Sequence, residues 1–344
     1  MRPVLALRVV VVAVLAAVGA AQSINVDIGG FYTLGSATNF GAATGQAGAW
    51  NTVAQASVQQ VLVDTQGAAT GATVSWAGPA TESGWLTVSG NHGKLLNDYQ
   101  YLLPGAAAPV NWSIQGLQPG EYRVTFYSRP TDGQSTGVTR FTLAGGAAGA
   151  QDCDGAISEF FSGYRYGQHF VQDTTTVTNG TLAWTVELAA GGLGYFNGIQ
   201  IESVVPGSVR TYCTAKMNSI GCTPVLASSG SPSILGGVFT VSATQVRSDR
   251  PGLLVWSPRQ NGMPFRQGHL CVAAPLQRTA TQSSGGTPGG GDCSGAYSFQ
   301  WTTPYLASFG LTAGDTVACQ FWSVDDGSPG NAGLTRGLEF TLAP

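Results

Sequence analysis

"GGLGYFNGIQIE", residues 191–202, decides the reading of the first half of the chain. Its second part, "GIQIE", alternates Ile199 and Ile201 with polar neighbours, the period-2 pattern of a strand with one face in a core. Its first part bends on glycines. Successive side chains of an extended chain point to opposite sides, so one of Tyr195 and Phe196 must face outward there. Upstream, "TLAWTVEL" (181–188) sends Leu182, Trp184, Val186 and Leu188 to one side. Further back, "EYRVTFYS" (121–128) alternates Tyr122, Val124 and Phe126 with Arg123, Thr125 and Tyr127, after an "LQPG" turn built on Pro119 and Gly120. The same rhythm of short strands and Gly-rich turns runs from Ile24 to about Ser203, and "GIQIE" closes it.

The one stretch with helical propensity is "AWNTVAQASVQQVLV" (49–63), where a short helix or loop is expected near Trp50. After residue 203, "VVPGSVR" (204–210) reads as a linker, because Pro206 and Gly207 interrupt a finished strand. A second run of strands follows over 211–344: "GVFTVSAT", "GLLVWS", "HLCVAA", "AYSFQW", "TVACQFW" and "LEFTLA". Their spacing indicates an antiparallel sandwich of the immunoglobulin-like kind. The fold class is therefore all-β, two antiparallel sandwich domains in series.

Composition agrees with that class and narrows the partners. Glycine supplies 49 of 344 residues and only 10% are charged, the profile of many short strands joined by tight turns. The opening "MRPVLALRVVVVAVLAAVGAAQS" has Arg2 and Arg8 around the start of an apolar run, then small residues; it reads as a signal peptide over 1–21, cleaved after Ala20 or Ala21. The apolar run is too short for a membrane span. Without Arg2 and Arg8, 13 basic side chains face 18 acidic ones, a net charge of −5, which disfavours nucleic acid as a partner. An exported, low-charge surface suits neutral ligands such as a glycan or cell-surface polysaccharide, and suits a structural role equally.

At "INVDIGG", "GAWNTV", "LLNDYQYL", "LQPGEYRVTFYS" and "GGLGYFNGIQIE" the first half resembles a galactose-binding-like jelly-roll domain of secreted bacterial proteins, often planctomycete. The resemblance covers residues 24–203 and specifies a fold more than an activity. It implies a structural calcium near the opening and closing strands, which points to Asp27 and Glu202; the alternative for the two acids is a solvated pair at the sheet edges. From "YCTAKMNSIGCTP" through "GGTPGGGDCSG" to "CQFWSVDDGSP", the second half resembles a C-terminal module of exported planctomycete proteins. There the last strand usually ends in Cys-Pro; here Ala343-Pro344 stands in its place, which implies that one cysteine has lost its partner. No exosortase-type sorting tail follows Pro344, so the resemblance implies no membrane retention.

Six cysteines in an exported chain point to disulfides. Cys213 and Cys222 flank a loop able to turn back, and Cys271 and Cys293 flank the Gly-rich "TQSSGGTPGGGD", so the expected bridges are Cys213–Cys222 and Cys271–Cys293. Cys319 is then a buried free thiol or joins Cys153. No Cys-x-x-Cys occurs and His92, His169 and His269 are scattered, against zinc.

No Gly-x-Ser-x-Gly elbow appears. Asp64, Asp98, Glu121 and Glu187 could supply a glycosidase carboxylate pair, yet each fits a solvated turn or a strand's polar face. "WSVDDGSPGN" lacks EF-hand spacing and reads as an acidic turn rather than a calcium loop at Asp325 and Asp326. Sugar binding needs an exposed aromatic face with amides or carboxylates beside it. Three clusters offer one: Trp50 with Asn51; Asn97 and Asp98 with Tyr99 and Tyr101; and Tyr195 and Phe196 with Asn197. The alternative for each is that its aromatics cap the core. The resulting expectation is a non-catalytic exported protein whose first domain binds a carbohydrate and whose second serves display or adhesion; the alternatives are a purely structural cell-surface or matrix protein and a glycan-active hydrolase.

Overall fold

The computed structural model describes residues 22–35, 39–54, 59–78, 81–83, 89–105, 109–129, 137–154, 163–289 and 291–344, the backbone alone at 81–83. The expected signal peptide, 1–21, lies outside the described residues. The chain is all-β, built from antiparallel sheets packed as sandwiches, as the alternation predicts.

In the first half, a five-stranded sheet orders Phe170–Val177, Gly120–Tyr127, Gly198–Ser203, Ile24–Ile28 and Trp50–Val53, the last pair parallel. A six-stranded sheet faces it, ordered Ala150–Cys153, Val138–Leu143, Thr181–Ala190, Val110–Gln115, Ala69–Ala77 and Gln60–Val63. Between them lies a core holding Tyr122, Val124, Phe126, Ile199 and Ile201 from one side and Trp76, Trp112, Phe141 and Trp184 from the other, with Phe196 entering from the short strand Gly194–Phe196. Of these, Tyr122, Val124, Phe126, Trp184, Ile199 and Ile201 are the residues that the period-2 patterns of 121–128, 181–188 and 198–202 point inward.

The second half has its own core around Trp256, Trp301, Phe239, Phe321 and Phe340. Its main sheet includes Val209–Tyr212, Gly337–Thr341, Thr316–Val324 and Pro251–Ser257, and a three-stranded sheet, Val225–Ser229, Phe239–Val246 and Gly295–Trp301, covers it.

The expectation of a helix or loop near Trp50 is corrected: Trp50–Val53 is a strand. Its Asn51 stitches it to both neighbours, Nδ2 donating to the carbonyls of Asn25 and Val63 and Oδ1 accepting from the Val63 amide. Among the described residues the helices are elsewhere, at Gly90–Asn97 and Thr303–Ser308. The first contains two glycines and forms because Leu95 and Leu96 are wholly buried. The second carried a legible signal, since Thr302 caps it by accepting from the Tyr305 amide and Pro304 opens its first turn.

The disulfide pairing is also corrected. Cys213 bonds Cys271 and Cys222 bonds Cys293, with Cα atoms 6.0 and 6.3 Å apart, inside the span a disulfide requires. Asn218, not a bridge, closes the loop between Cys213 and Cys222: its N–H donates to the Cys222 carbonyl and its Oδ1 accepts from the Cys222 amide. Cys153 and Cys319 are free thiols, each buried in a different core.

Candidate functional site

The three aromatic clusters do meet, but beneath the surface. Trp50 packs with Phe40, Leu95, Leu96, Tyr127 and Tyr164 in a small apolar cluster, its indole N–H donating to the Phe40 carbonyl at 3.1 Å. Phe196 is fully buried and Tyr195 is 5% exposed, so both aromatics of "GYFNG" are covered, contrary to the expectation that one faces outward. Tyr195 is covered by the ring of Tyr99, edge to face at 4.8 Å. Tyr99 and Tyr101 are half-buried. Asn197 Nδ2 donates to the carbonyls of Leu96 and Asp98 while its Oδ1 accepts from the Arg129 amide, pinning the end of the Gly90–Asn97 helix to the sheet. Asn97 and Asp98 are buried, and Asp98 Oδ2 accepts from the amides of Phe31 and Tyr32. These side chains hold the end of the sandwich together and present no open platform.

Asp27 and Glu202 do not share a site. Ile24 pairs with Ile201 and Asp27 with Gly198, which sets the two acids about four residues, roughly 13 Å, apart along the sheet. Asp27 instead lies near Asp98, fully buried; burial first, and the neighbouring Asp98, push its carboxyl well above the usual range against the Leu34 amide. Glu202 pairs with Arg210 and Arg123. Nor does Asp98 face Glu121, since Asp98 is tied to Asn197 beside Tyr127 and Glu121 is six residues, roughly 20 Å, up that strand. His92 stacks edge-on against Phe40.

In the second half, the "DDGSPGN" turn wraps a protein ammonium. Lys216 Nζ donates to the carbonyls of Arg266, Pro329 and Ala332 and to Ser328 Oγ. Asp325, buried, accepts from Ser219 and Arg247; these donors outweigh its burial and hold its carboxyl below the usual range. Among the described residues, no group of three or more His, Cys, Asp or Glu side chains is placed to hold a metal ion.

Two cavities among the described residues bear on binding. The first is a groove of about 660 Å³ on the outer face of the six-stranded sheet. Its floor follows from register. Trp184, Trp112 and Trp76 pair across three strands and stack on the core side, centroids 5.8 and 4.4 Å apart and nearly parallel. Each is flanked in sequence by small residues, "SWA", "NWS" and "AWT", which must point outward. Thr142, Thr185, Asn111 and Ala77 therefore form one row across the sheet, and Ala183, Ser113 and Ser75 the next. The Ser75 and Ser113 hydroxyls are 3.1 Å apart. Alanines give depth, while hydroxyls and an exposed amide give hydrogen-bonding groups without charge. The tryptophan stack makes the floor stiff. Sequence reasoning missed this site; the three small-Trp-small tripeptides were its signal.

The second cavity, about 510 Å³, lies in the seam between the halves. That seam rests on a buried charge network. Glu339 Oε1 accepts from Arg123 at 2.6 Å and from Arg210 at 2.9 Å, and its Oε2 accepts from Gln260 at 2.8 Å. Burial raises the Glu339 carboxyl, but the two guanidiniums outweigh it and keep the group below its usual range.

No protein-family model matches the sequence, and no curated protein matches it. Similar solved structures include the adhesin domain of Epf from Streptococcus pyogenes, at 9% identity over 83% of each chain with a TM-score of 0.17. A calcium-binding mutant of Bacteroides uniformis beta-glucuronidase 2 gives 9% identity over 69% of this chain and 27% of that one, TM-score 0.16. The CBM22-1-CBM22-2 tandem domain of Paenibacillus barcinonensis Xyn10C gives 11% identity over 85% and 93%, TM-score 0.16. Superpositions this loose transfer no ligand to this chain.

Proposed function

We propose that this protein is an exported, non-catalytic surface protein that binds a neutral saccharide in the outer groove of its first sandwich. The observation that carries the reading is the groove itself: about 660 Å³, within the usual size of a ligand site, floored by rows of Ser, Thr and Asn. Hydroxyls and amides both donate and accept, as sugar hydroxyls do, so an uncharged ladder of them complements a neutral glycan. The two disulfides fit an oxidising compartment, and no helix of the described residues is long and apolar enough to cross a membrane. A glycan array probed with the full chain tests the reading. Neutral glycans are expected to bind, with loss of signal on Asn111→Ala and Thr185→Val; an array without signal above background overturns it.

A second reading, a structural surface component without a small ligand, is favoured by one observation. It requires Trp50, Tyr99 and Tyr195 to be interior; Trp50 and Tyr195 are 3% and 5% exposed, and Tyr99 is half-buried. The same array separates the two.

A further inference from the structure

Asparagine is a chemically labile residue, and most open to attack where glycine follows, because a nitrogen whose neighbour has no Cβ approaches the side-chain carbonyl freely. Three such pairs occur in the chain: Asn179–Gly180, Asn197–Gly198 and Asn261–Gly262. The fold shields two of them. Asn197 is fully buried, its Nδ2 donating to the carbonyls of Leu96 and Asp98 and its Oδ1 accepting from the Arg129 amide. Gly198 lies within a strand, paired with Asp27 on one side and Tyr127 on the other. Asn261 is 8% exposed and its Oδ1 accepts from the Tyr166 amide, while the Gly262 N–H donates to the Tyr164 carbonyl at 2.9 Å. In both pairs the side-chain amide and the following nitrogen are held in place.

Asn179–Gly180 is built the other way. It sits on the arch, residues 178–180, that carries the chain from Phe170–Val177 in the five-stranded sheet to Thr181–Ala190 in the six-stranded one. Asn179 is exposed. Among the described residues neither the Gly180 amide nor Asn179 Nδ2 donates a hydrogen bond. Asn179 Oδ1, by contrast, accepts from the Thr181 amide at 3.1 Å. The attacking nitrogen and the departing one are therefore free, and the carbonyl between them is oriented and polarised. A fixed N–H at that distance is the arrangement that stabilises negative charge forming on an oxygen.

We infer that Asn179–Gly180 is a site of spontaneous deamidation in the folded protein, with the Thr181 amide as its oxyanion donor. The Gly180 nitrogen gives its proton to hydroxide and bonds to Asn179 Cγ, and the negative charge passes to Oδ1, facing the Thr181 N–H. As the carbonyl re-forms, the Cγ–Nδ2 bond breaks and the side-chain nitrogen leaves as ammonia, taking a proton from water. The cyclic imide then adds one water at either of its carbonyls, giving an aspartyl or an isoaspartyl residue. Nothing is oxidised or reduced. Either product places a new carboxylate on the arch. The isoaspartyl form also adds a backbone carbon two residues before Thr181, the start of the strand that supplies Ala183 and Thr185 to the groove. The site lies outside the groove and stands independently of the saccharide reading.

Peptide mapping by mass spectrometry, on the full chain kept at mildly alkaline pH, tests the inference without a variant. Conversion of amide to acid at Asn179 is expected, as two products of equal mass that separate on a column, about tenfold or more faster than at Asn197 or Asn261. The rate at Asn179 is expected to rise with pH, since the attacking nitrogen must lose its proton. In concentrated urea the shields are gone, and all three pairs are expected to convert at similar rates, so the two buried pairs serve as controls within the same chain. An Asn179 that stays intact in the folded chain while the urea sample converts, equal rates at the three pairs in the folded chain, or a rate at Asn179 indifferent to pH would each overturn it.

Discussion

The two outer faces of the first sandwich begin from the same sequence pattern and end differently. On the five-stranded sheet the polar positions of the alternation are Asn25, Asp27, Arg123, Thr125, Gln200 and Glu202, and all are buried. Loops cover one end, where Gln200 donates to Asn25 and accepts from Thr44 and Tyr127; the second half covers the other through Glu339 and Arg210. On the six-stranded sheet the equivalent positions, Ser75, Asn111, Ser113 and Thr185, stay open to solvent as a groove. A polar face that is large and charged has been absorbed into the structure, and a polar face that is small and neutral has been left free. Burying the first kind is tolerable because each of these side chains has at least one polar partner.

The sharpest way to break that contrast is to remove the acceptor at the centre of the buried face. Glu339→Ala leaves Glu202 alone to balance the buried Arg123 and Arg210 guanidiniums and removes the acceptor of Gln260, and is expected to cost about 3–5 kcal/mol, read from urea unfolding. A loss near zero would mean that water enters the seam and that the two faces differ little.

A smaller effect is expected from pH. Asp27 binds its proton more tightly folded than unfolded, so its contribution is complete below about pH 4, the ordinary aspartate value, and is lost as pH rises through the folded-state value. Asp27→Asn removes that loss. Unfolding midpoints measured from pH 4 to 7 should fall more steeply for the wild type than for the variant; parallel curves would show that Asp27 is already ionised in the fold.

The open face should be forgiving. Arg140 and Asp152 form a bidentate pair at 2.7 and 2.8 Å, with side chains 39% and 42% exposed, and Arg140→Ala is expected to cost at most about 1 kcal/mol. A cost comparable with that of Glu339→Ala would erase the distinction between the faces.

Much of this was legible from period alone. Alternation in 121–128, 181–188 and 198–202 points the right residues into the core, because a strand with one face in a core can be written no other way. What alternation does not encode is whether the second face is covered. Arg123 and Glu202 read as solvated strand residues until Glu339, 216 residues beyond Arg123, closes over them. The same blindness put Trp50, Tyr195 and Asn197 among ligand residues: their loops look exposed, yet the helix Gly90–Asn97, with two glycines and no capping side chain, forms only because the site it packs into exists. Disulfide pairing failed for a related reason, since sequence proximity favoured Cys213–Cys222 while the Asn218 turn aims Cys222 elsewhere. The groove, by contrast, was written locally, in three tryptophans each between two small residues.

The central claim, that the open face of the first sandwich is the binding face, is tested most directly by filling it. Ser113→Trp places a large side chain in the middle of the groove at a position where stability should change by no more than about 0.5 kcal/mol. Titration of wild type and variant with a neutral glycan identified on the array should show saturable binding by the wild type and a loss of about tenfold or more in the variant, with unchanged unfolding midpoints. Equal binding by both would place the saccharide elsewhere and contradict the assignment.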